Sequence, residues 1–390
     1  MARVLAALAV GMAAALAVVG AVTAGGRGQT VAGTGLLRTG SALSSGSGQG
    51  RAALLIVSTA QASAAAREPG RSLVYFSGTD VNTRWNTGVP YPQAKRNGWL
   101  LAGASGNLLV NRSYSDNYVA DVGNPAYQRA WVRNVSRFLR AHGDDGVMID
   151  DVIADLVPLA GQEAAAYPTQ RAWAAAQLSF IRGVGPALRA RGYYVLVSAS
   201  GYIPGDPGDN TGATTASWWR KLNPYVSGLM NEYYGEIPDG SNRLRSSGES
   251  WTQNWAGWER LVQIAQLHGR DFVGLTYGQP GDTRTMTYGK ASFLVDWDGR
   301  GGAFVYEPTN HGDPWNGAWT QNLGRPLGRR RAVGVGWLRR YRGGIVLLNP
   351  SPLRPQRFSL RRRYVTADGR VVTEAALPPT TGLILRAAAR

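Results

Sequence analysis

Two segments end short apolar runs with carboxylates. Gly146-Val-Met-Ile-Asp-Asp151 closes on adjacent acids, and Gly228-Leu-Met-Asn-Glu-Tyr-Tyr234 carries Glu232. An acid that follows apolar residues in this way lies where a buried strand surfaces. Side chains alternate along a strand, so Met148 and Asp150 share one face, and Ile149 and Asp151 the other. Asp150 is read as the inward member, with Asp151 bracing a neighbouring loop or helix N-terminus; the opposite assignment stays open on alternation alone. Two carboxylates facing one groove suit cleavage of a glycosidic bond. One protonates the leaving oxygen while the other attacks the sugar or activates water. Burial and mutual repulsion raise the pKa of the acid. Glu232 is assigned the acid and Asp150 the nucleophile or base, roles that the sequence allows to exchange.

Further polar and aromatic residues stand at the ends of similar runs: Asp121, Tyr233, Tyr277 and Glu307. Asp80 and Trp85 follow the run Leu73–Phe76, where a Trp could stack on a pyranose. With Asp151, these make up the candidate substrate-binding set. Asp121 has a second reading, because Asp-Val-Gly-Asn-Pro also forms a helix-entry turn. Other chemistries fit less well. The chain has no cysteine and three histidines, His142, His268 and His311, two of them at helix ends, which argues against a thiolate or His-rich metal site. Neither a nucleophile elbow, a phosphate-binding loop nor a dinucleotide fingerprint is present. No metal and no organic cofactor is expected.

These residues need a scaffold that gathers strand ends. Apolar runs at Leu73–Phe76, Trp99–Ala102 or Leu108–Val110, Tyr118–Val122, Gly146–Asp151, Tyr194–Ala199, Gly228–Tyr233, Phe272–Tyr277 and Ala303–Tyr306 alternate with helical patterns. Eight such repeats over residues 71–332 predict a (β/α)8 TIM barrel, whose functional groups sit at the C-terminal ends of its strands. Asn124-Pro125 offers an N-cap and first-turn proline for a helix with Trp131, Val135 and Leu139 on one face, closed by Gly143. Trp173, Phe180, Val184 and Leu188 form a second stripe, and Trp255, Trp258 and Val262 a third. These tryptophans are read as packing against the sheet. Residues 333–390 change to short strands with turn signals and predict a small all-β sandwich.

Ahead of the barrel, residues 1–24 carry Arg3 and a long uncharged run ending Val22-Thr23-Ala24, the pattern of a signal peptide or an uncleaved membrane anchor. A secreted or cell-envelope location follows, with membrane contact only through that segment. Residues 25–70 are rich in Gly, Ser, Ala and Thr and read as a flexible linker, interrupted by Leu54–Val57. The net charge is +17, almost all of it from arginine, including Arg329–Arg331, Arg339-Arg340 and Arg361–Arg363. Such a surface could attract an anionic polymer, although a compositional preference for Arg is the plainer explanation. Nothing resembles a nucleic-acid-binding motif.

Tyr127–Leu139 leading into Asp145-Gly-Val-Met-Ile-Asp-Asp151, then Leu229-Met-Asn-Glu-Tyr-Tyr234, and finally Gly336-Trp-Leu-Arg-Arg-Tyr-Arg-Gly-Gly-Ile-Val-Leu-Leu-Asn-Pro-Ser351 together resemble the hypothetical glycosyl-hydrolase-like family 15, which is distinct from the glucoamylases of the same number. The resemblance spans about residues 71–388. It implies a barrel and carbohydrate hydrolysis without naming a substrate, and its general pattern of strand-end acids falls on Asp150 and Glu232. A non-catalytic glycan-binding or envelope-associated protein on the same scaffold is the alternative.

Overall fold

The computed structural model describes residues 37–39, 54–67, 70–111, 114–154, 162–199, 213–231, 234, 251–278, 281–308 and 323–389; the side chains of 37–39, 213–214, 251–254, 277–278, 305 and 307–308 lie outside the description. Eight strands form one parallel sheet: β1 (Leu37–Thr39), β2 (Leu54–Val57), β3 (Arg71–Ser77), β6 (Gly146–Asp150), β7 (Tyr194–Ser198), β8 (Gly228–Asn231), β9 (Asp271–Gly278) and β10 (Ala303–Pro308). They pair in that order, and β1 approaches β10, so the sheet curls into a nearly closed barrel.

Two of these strands lie within residues 25–70, so the sheet begins inside the segment that composition marks as linker. Leu54–Val57 pairs with β3 in parallel and is buried along its whole length. Conversely, the runs expected as the second and third barrel strands are absent from the parallel sheet. Tyr118 and its neighbours belong to β5 (Asn117–Val119), which pairs antiparallel with β4 (Asp80–Asn82) in a two-stranded ribbon laid over the end of β3. Trp99–Ala102 and Leu108–Val110 join that ribbon only through isolated bridges. Gly146–Asp150 and Gly228–Asn231 are nonetheless the fourth and sixth strands of the sheet.

The helices α1 (Ala62–Ala65), α2 (Tyr91–Arg96), α3 (Pro125–His142), α4 (Gln170–Arg189), α5 (Ala213–Leu222), α6 (Trp251–Gln266) and α7 (Thr283–Asp296) accompany the strands. The Asn124 side chain caps α3 by accepting from Ala126 N, and Gly143 ends it at φ 82°, a left-handed conformation that glycine takes without a Cβ penalty. Thr169 and Asp282 cap α4 and α7 in the same way. Strand parity divides the apolar residues. Leu73, Met148, Leu196, Met230 and Val273 meet inside the barrel, while Val74, Phe76, Val147, Ile149, Val195, Val197 and Leu229 face the helices.

The C-terminal part comprises β11 (Arg331–Val333), β12 (Gly336–Tyr341), β13 (Gly344–Asn349), β14 (Gln356–Val365), β15 (Val371–Leu377) and β16 (Thr381–Ala387). Where the sequence predicts a sandwich, these form one antiparallel sheet in the order β11-β12-β13-β16-β14-β15. Helix α7 serves as the second layer: β13 and β16 lie against it, and Gly382 packs close to Ala291. Residues 1–24, with the proposed leader, lie outside the description. Among the described residues no helix is long and apolar enough to cross a membrane.

Candidate active site

The parity that sends Met148 inward carries Asp150 to the same side, at the C-terminal end of β6. The inner positions of the flanking strands bring Tyr75 and Ser198 to it. The buried Asp150 carboxylate accepts hydrogen bonds from Asp151 N–H and from the Ser198 and Tyr75 side chains. Burial pushes its pKa above the usual carboxylate range, and the three donors act against that shift by favouring the charged form.

Asp151 follows the end of β6. Its φ of 60° lies in the left-handed region, which Asp tolerates better than most residues, and the turn brings its N–H back to the Asp150 carboxylate. Its side chain and carbonyl brace the turn after β3: Ser77 Oγ donates to Asp151 Oδ2 at 3.5 Å, and Thr79 Oγ1 donates to the Asp151 carbonyl. Gln177 of α4 secures Thr79 in turn, Nε2 donating to Oγ1 at 2.9 Å. The same Ser77 Oγ accepts from the backbone N–H groups of Thr79 and Asp80, at 3.2 and 3.0 Å.

That turn delivers Asp80, which is fully buried. Its Oδ2 accepts from Asn111 Nδ2 and Asn117 Nδ2, each at 2.9 Å, whereas Oδ1 has no hydrogen-bond partner. Burial raises its pKa to about 7; the two amides oppose the rise and the nearby charge of Asp150 adds to it. Two acids therefore interact beneath the rim, and Asp80 gives up its proton less readily than an ordinary carboxyl. Asn82 links this group to Trp85: it hydrogen-bonds Asn117 through Nδ2 and accepts from Arg84 N and Trp85 N through Oδ1. The Trp85 ring is 42 % exposed, on a loop held to the Asp80 network.

Four buried tryptophans fix the loops around these acids. Indole Nε1 of Trp173 donates to Ile153 O at 3.1 Å and that of Trp218 to Val152 O at 3.0 Å, both just beyond Asp151. Trp219 donates to Ala199 O at 2.6 Å, after Ser198, and Trp131 to Thr87 O at 3.2 Å. The expectation that helical tryptophans pack against the sheet covers half of their work; each ring also spends its one donor on a strand-end loop.

Asp121 does not end a barrel strand. It follows the ribbon, accepts from the Tyr167 hydroxyl and from Asn124 Nδ2 at 3.2 Å, and so braces the entry to α3, its second reading in the sequence. Glu307 and Tyr277 pair in register at the C-terminal ends of β10 and β9, with side chains outside the description. Glu232, Tyr233 and the tryptophans of 315–319 lie outside the described residues. The structure thus joins Asp80, Asp150 and Asp151, with Trp85 attached through Asn82. Sequence reasoning passed over Tyr75, Asn111 and Asn117 and did not select Ser198. Inner-face parity counted back from Ser77 and forward from Leu196 marks Tyr75 and Ser198, but nothing local marks the two asparagines. Among the described residues no group of His, Asp and Glu is arranged to hold a metal ion.

The model of one family, hypothetical glycosyl hydrolase family 15, matches residues 75–345. No curated protein matches the sequence significantly. Among solved structures, a maltogenic alpha-amylase from Thermotoga neapolitana aligns with a TM-score of 0.52 at 10% identity, covering 87% of this chain and 91% of that one. A GH31 dextranase from Flavobacterium johnsoniae aligns with a TM-score of 0.52 at 10% identity, covering 86% of this chain and 48% of the dextranase. At such identity the likeness speaks for the barrel fold.

Proposed function

The chain belongs to hypothetical glycosyl hydrolase family 15, which makes glycoside hydrolysis its class of chemistry, and from that premise we propose that Asp150 and Glu232 cleave a polysaccharide or glycoconjugate outside the cytoplasm. The observation that carries the reading is the setting of Asp150: an inward carboxylate at a strand's C-terminal end, buried, yet given three donors that favour its charge. That setting suits a nucleophile or base. Glu232, which follows the strand residues Leu229, Met230 and Asn231 in the sequence, takes the role of acid in this reading. Asp80, fully buried, feels the charge of that carboxylate. Trp85, on the loop held to the Asp80 network, supplies a stacking face for a sugar ring. Both the amylase and the dextranase named above act on glucans by their names, which supports carbohydrate as the substrate class. The Arg3-led apolar segment supports export.

The test is a screen of purified wild type, Asp150→Asn and Glu232→Gln against a broad panel of neutral and acidic glycans. Reducing ends released by wild type and lost by about 10³-fold or more in each variant is the expected result, the loss typical of a displaced catalytic group. Equal release by all three removes both residues from the mechanism, and glycan binding without release by wild type favours the non-catalytic alternative. The anomer formed first, followed by NMR, assigns Asp150: retention marks a nucleophile and inversion a base.

A further inference from the structure

The positive charge of the chain is concentrated in its C-terminal sheet. From residue 323 to 390 fifteen arginines stand against two acids, Asp368 and Glu374. Several arginines there have structural work. Arg339 donates to Leu294 O and Val295 O of α7, Arg330 pairs with Asp296, and Arg370 pairs with Asp368. Five others surround a recess in the sheet. Arg331, Arg340, Arg342, Arg361 and Arg362 are all exposed, and no carboxylate pairs with any of them among the described residues.

The recess has a volume of about 330 Å³, and the buried Leu338, Ile345, Leu360 and Tyr364 lie among the residues that line it. Its shape has a cause in the ladder. The register between β14 and β15 shifts between Ser359 and Tyr364, so the strand bulges over the stretch that contains Arg361 and Arg362. A bulge re-aims side chains that regular alternation would send to opposite faces. Across the recess, the tight β12–β13 hairpin presents Arg340 and Arg342.

We infer that this recess is a binding site for a segment of an acidic polysaccharide, its carboxylates held by the arginine rim. Concave sites of this size with a few convergent polar groups bind small ligands or chain segments. A planar guanidinium matches a carboxylate through two parallel hydrogen bonds, and it stays charged at every relevant pH. Five unpaired cations around one opening repel each other, and a polyanion relieves that repulsion. A duplex offers its phosphates along a convex rail, whereas a single glycan chain can enter a recess. The inference rests on the glycosidase reading for its choice of polymer: one chain that grips a glycan through this sheet and cuts it at the barrel gains effective concentration from the linkage.

Binding is measured by isothermal titration of the full chain with polygalacturonate, with pullulan as a neutral glycan, a DNA duplex and phosphatidylserine vesicles as competing classes. The variants are Arg340→Gln/Arg361→Gln/Arg362→Gln, all at exposed sites, and Asp150→Asn. Wild type should bind polygalacturonate and not pullulan, with affinity falling steeply as salt rises from about 0.05 to about 0.5 M. The triple variant should lose about tenfold or more, with an unchanged melting temperature, and Asp150→Asn should bind as wild type does. Equal binding by wild type and the triple variant overturns the site. Tighter binding to duplex or vesicles than to polygalacturonate overturns the choice of ligand, and absence of any polyanion binding overturns the inference outright. Hydrolysis in the glycan screen without arginine-dependent binding leaves the enzyme reading standing and sinks this one. Arginine-dependent binding without hydrolysis does the reverse.

Discussion

Asp80 is buried with one oxygen unpartnered and a second carboxylate nearby, and its stability effect has a definite sign. Its carboxyl titrates near 7 in the folded chain and near its ordinary value of 3.8 when unfolded. Between those values the folded state holds more protons than the unfolded state, so this group makes stability fall as pH rises from about 4 to about 7 and contributes no further slope above that. Asp80→Asn keeps an oxygen for Asn111 and Asn117 and places an uncharged amide where Oδ1 stands. It is expected to flatten that part of the stability–pH curve and to raise stability at pH 8, by on the order of a few kcal/mol at most. Urea unfolding of both proteins at pH 4 and pH 8 measures it; a wild-type curve with no loss over this interval contradicts the assignment. The charge of Asp150 adds to the rise at Asp80, so Asp150→Asn should move the pH-dependent loss of stability from Asp80 toward lower pH, and an unmoved loss would show that the two acids do not interact. The sequence shows Asp150 and its parity because a strand of five residues reports which side chains face together. It does not show the Asp80–Asn111–Asn117 cluster, since those residues sit 31 and 37 positions apart and meet only because β4 pairs with β5.

At the scale of elements, the end of β6 is set by the turn after β3. Gly78 N donates to Asp150 O at 2.8 Å, and a Cβ at Gly78 would stand 2.9 Å from Ile149 Cγ2 and 3.0 Å from Asp150 O. Gly78→Ala must push that backbone away. Its cost in stability is expected to be about 1–3 kcal/mol, as for other overpacked sites. Its cost in kcat should be larger than for a control substitution of equal destabilisation remote from the rim, because the displaced group is Asp150 itself. Trp218→Phe tests the indole staples: an aromatic ring is kept, smaller by the fused pyrrole, while Val152 O loses its donor. A drop in kcat of about tenfold with a modest loss of stability is expected, and an unchanged kcat would make this indole a packing group only. The limits of reading elements from sequence lie in the same region. Short apolar runs such as Tyr118–Val122 look alike in a barrel strand and an antiparallel ribbon. Leu54–Val57 is only four residues in Gly- and Ala-rich surroundings, so its neighbours suggest a linker, although β3 pairs with all four. The long helices were readable because caps and apolar stripes agree over five turns.

Over the whole molecule, the barrel and the C-terminal sheet meet through Arg330. Its guanidinium lies over the rings of Trp255 and Trp337, 4.9 and 4.2 Å from their centroids, and pairs with Asp296 at 2.5 Å and Glu259 at 3.6 Å. Glu259 is fully buried on α6 and accepts from the Tyr234 hydroxyl at 2.6 Å; Tyr234 in turn is tied to β9 through Leu275 O. Composition reveals a basic C-terminal part, but it cannot distinguish the arginine that locks two layers from those that face water. Burial and the charge of Asp296 push the Glu259 pKa well above its ordinary value, with Arg330 opposing. Removing the cation alone leaves two acids facing each other in the interface, which should cost about 3 kcal/mol or more. Arg330→Ala is therefore expected to lower the melting temperature by several degrees. Glu259→Gln retains an oxygen for Tyr234 and cannot ionise against Asp296, so Arg330→Ala/Glu259→Gln should recover part of the loss. A double-mutant cycle gives the coupling. A coupling near zero would mean that Arg330 acts through its two tryptophans alone. A large coupling would mean that the C-terminal sheet helps to fix Glu259 and, through it, Tyr234.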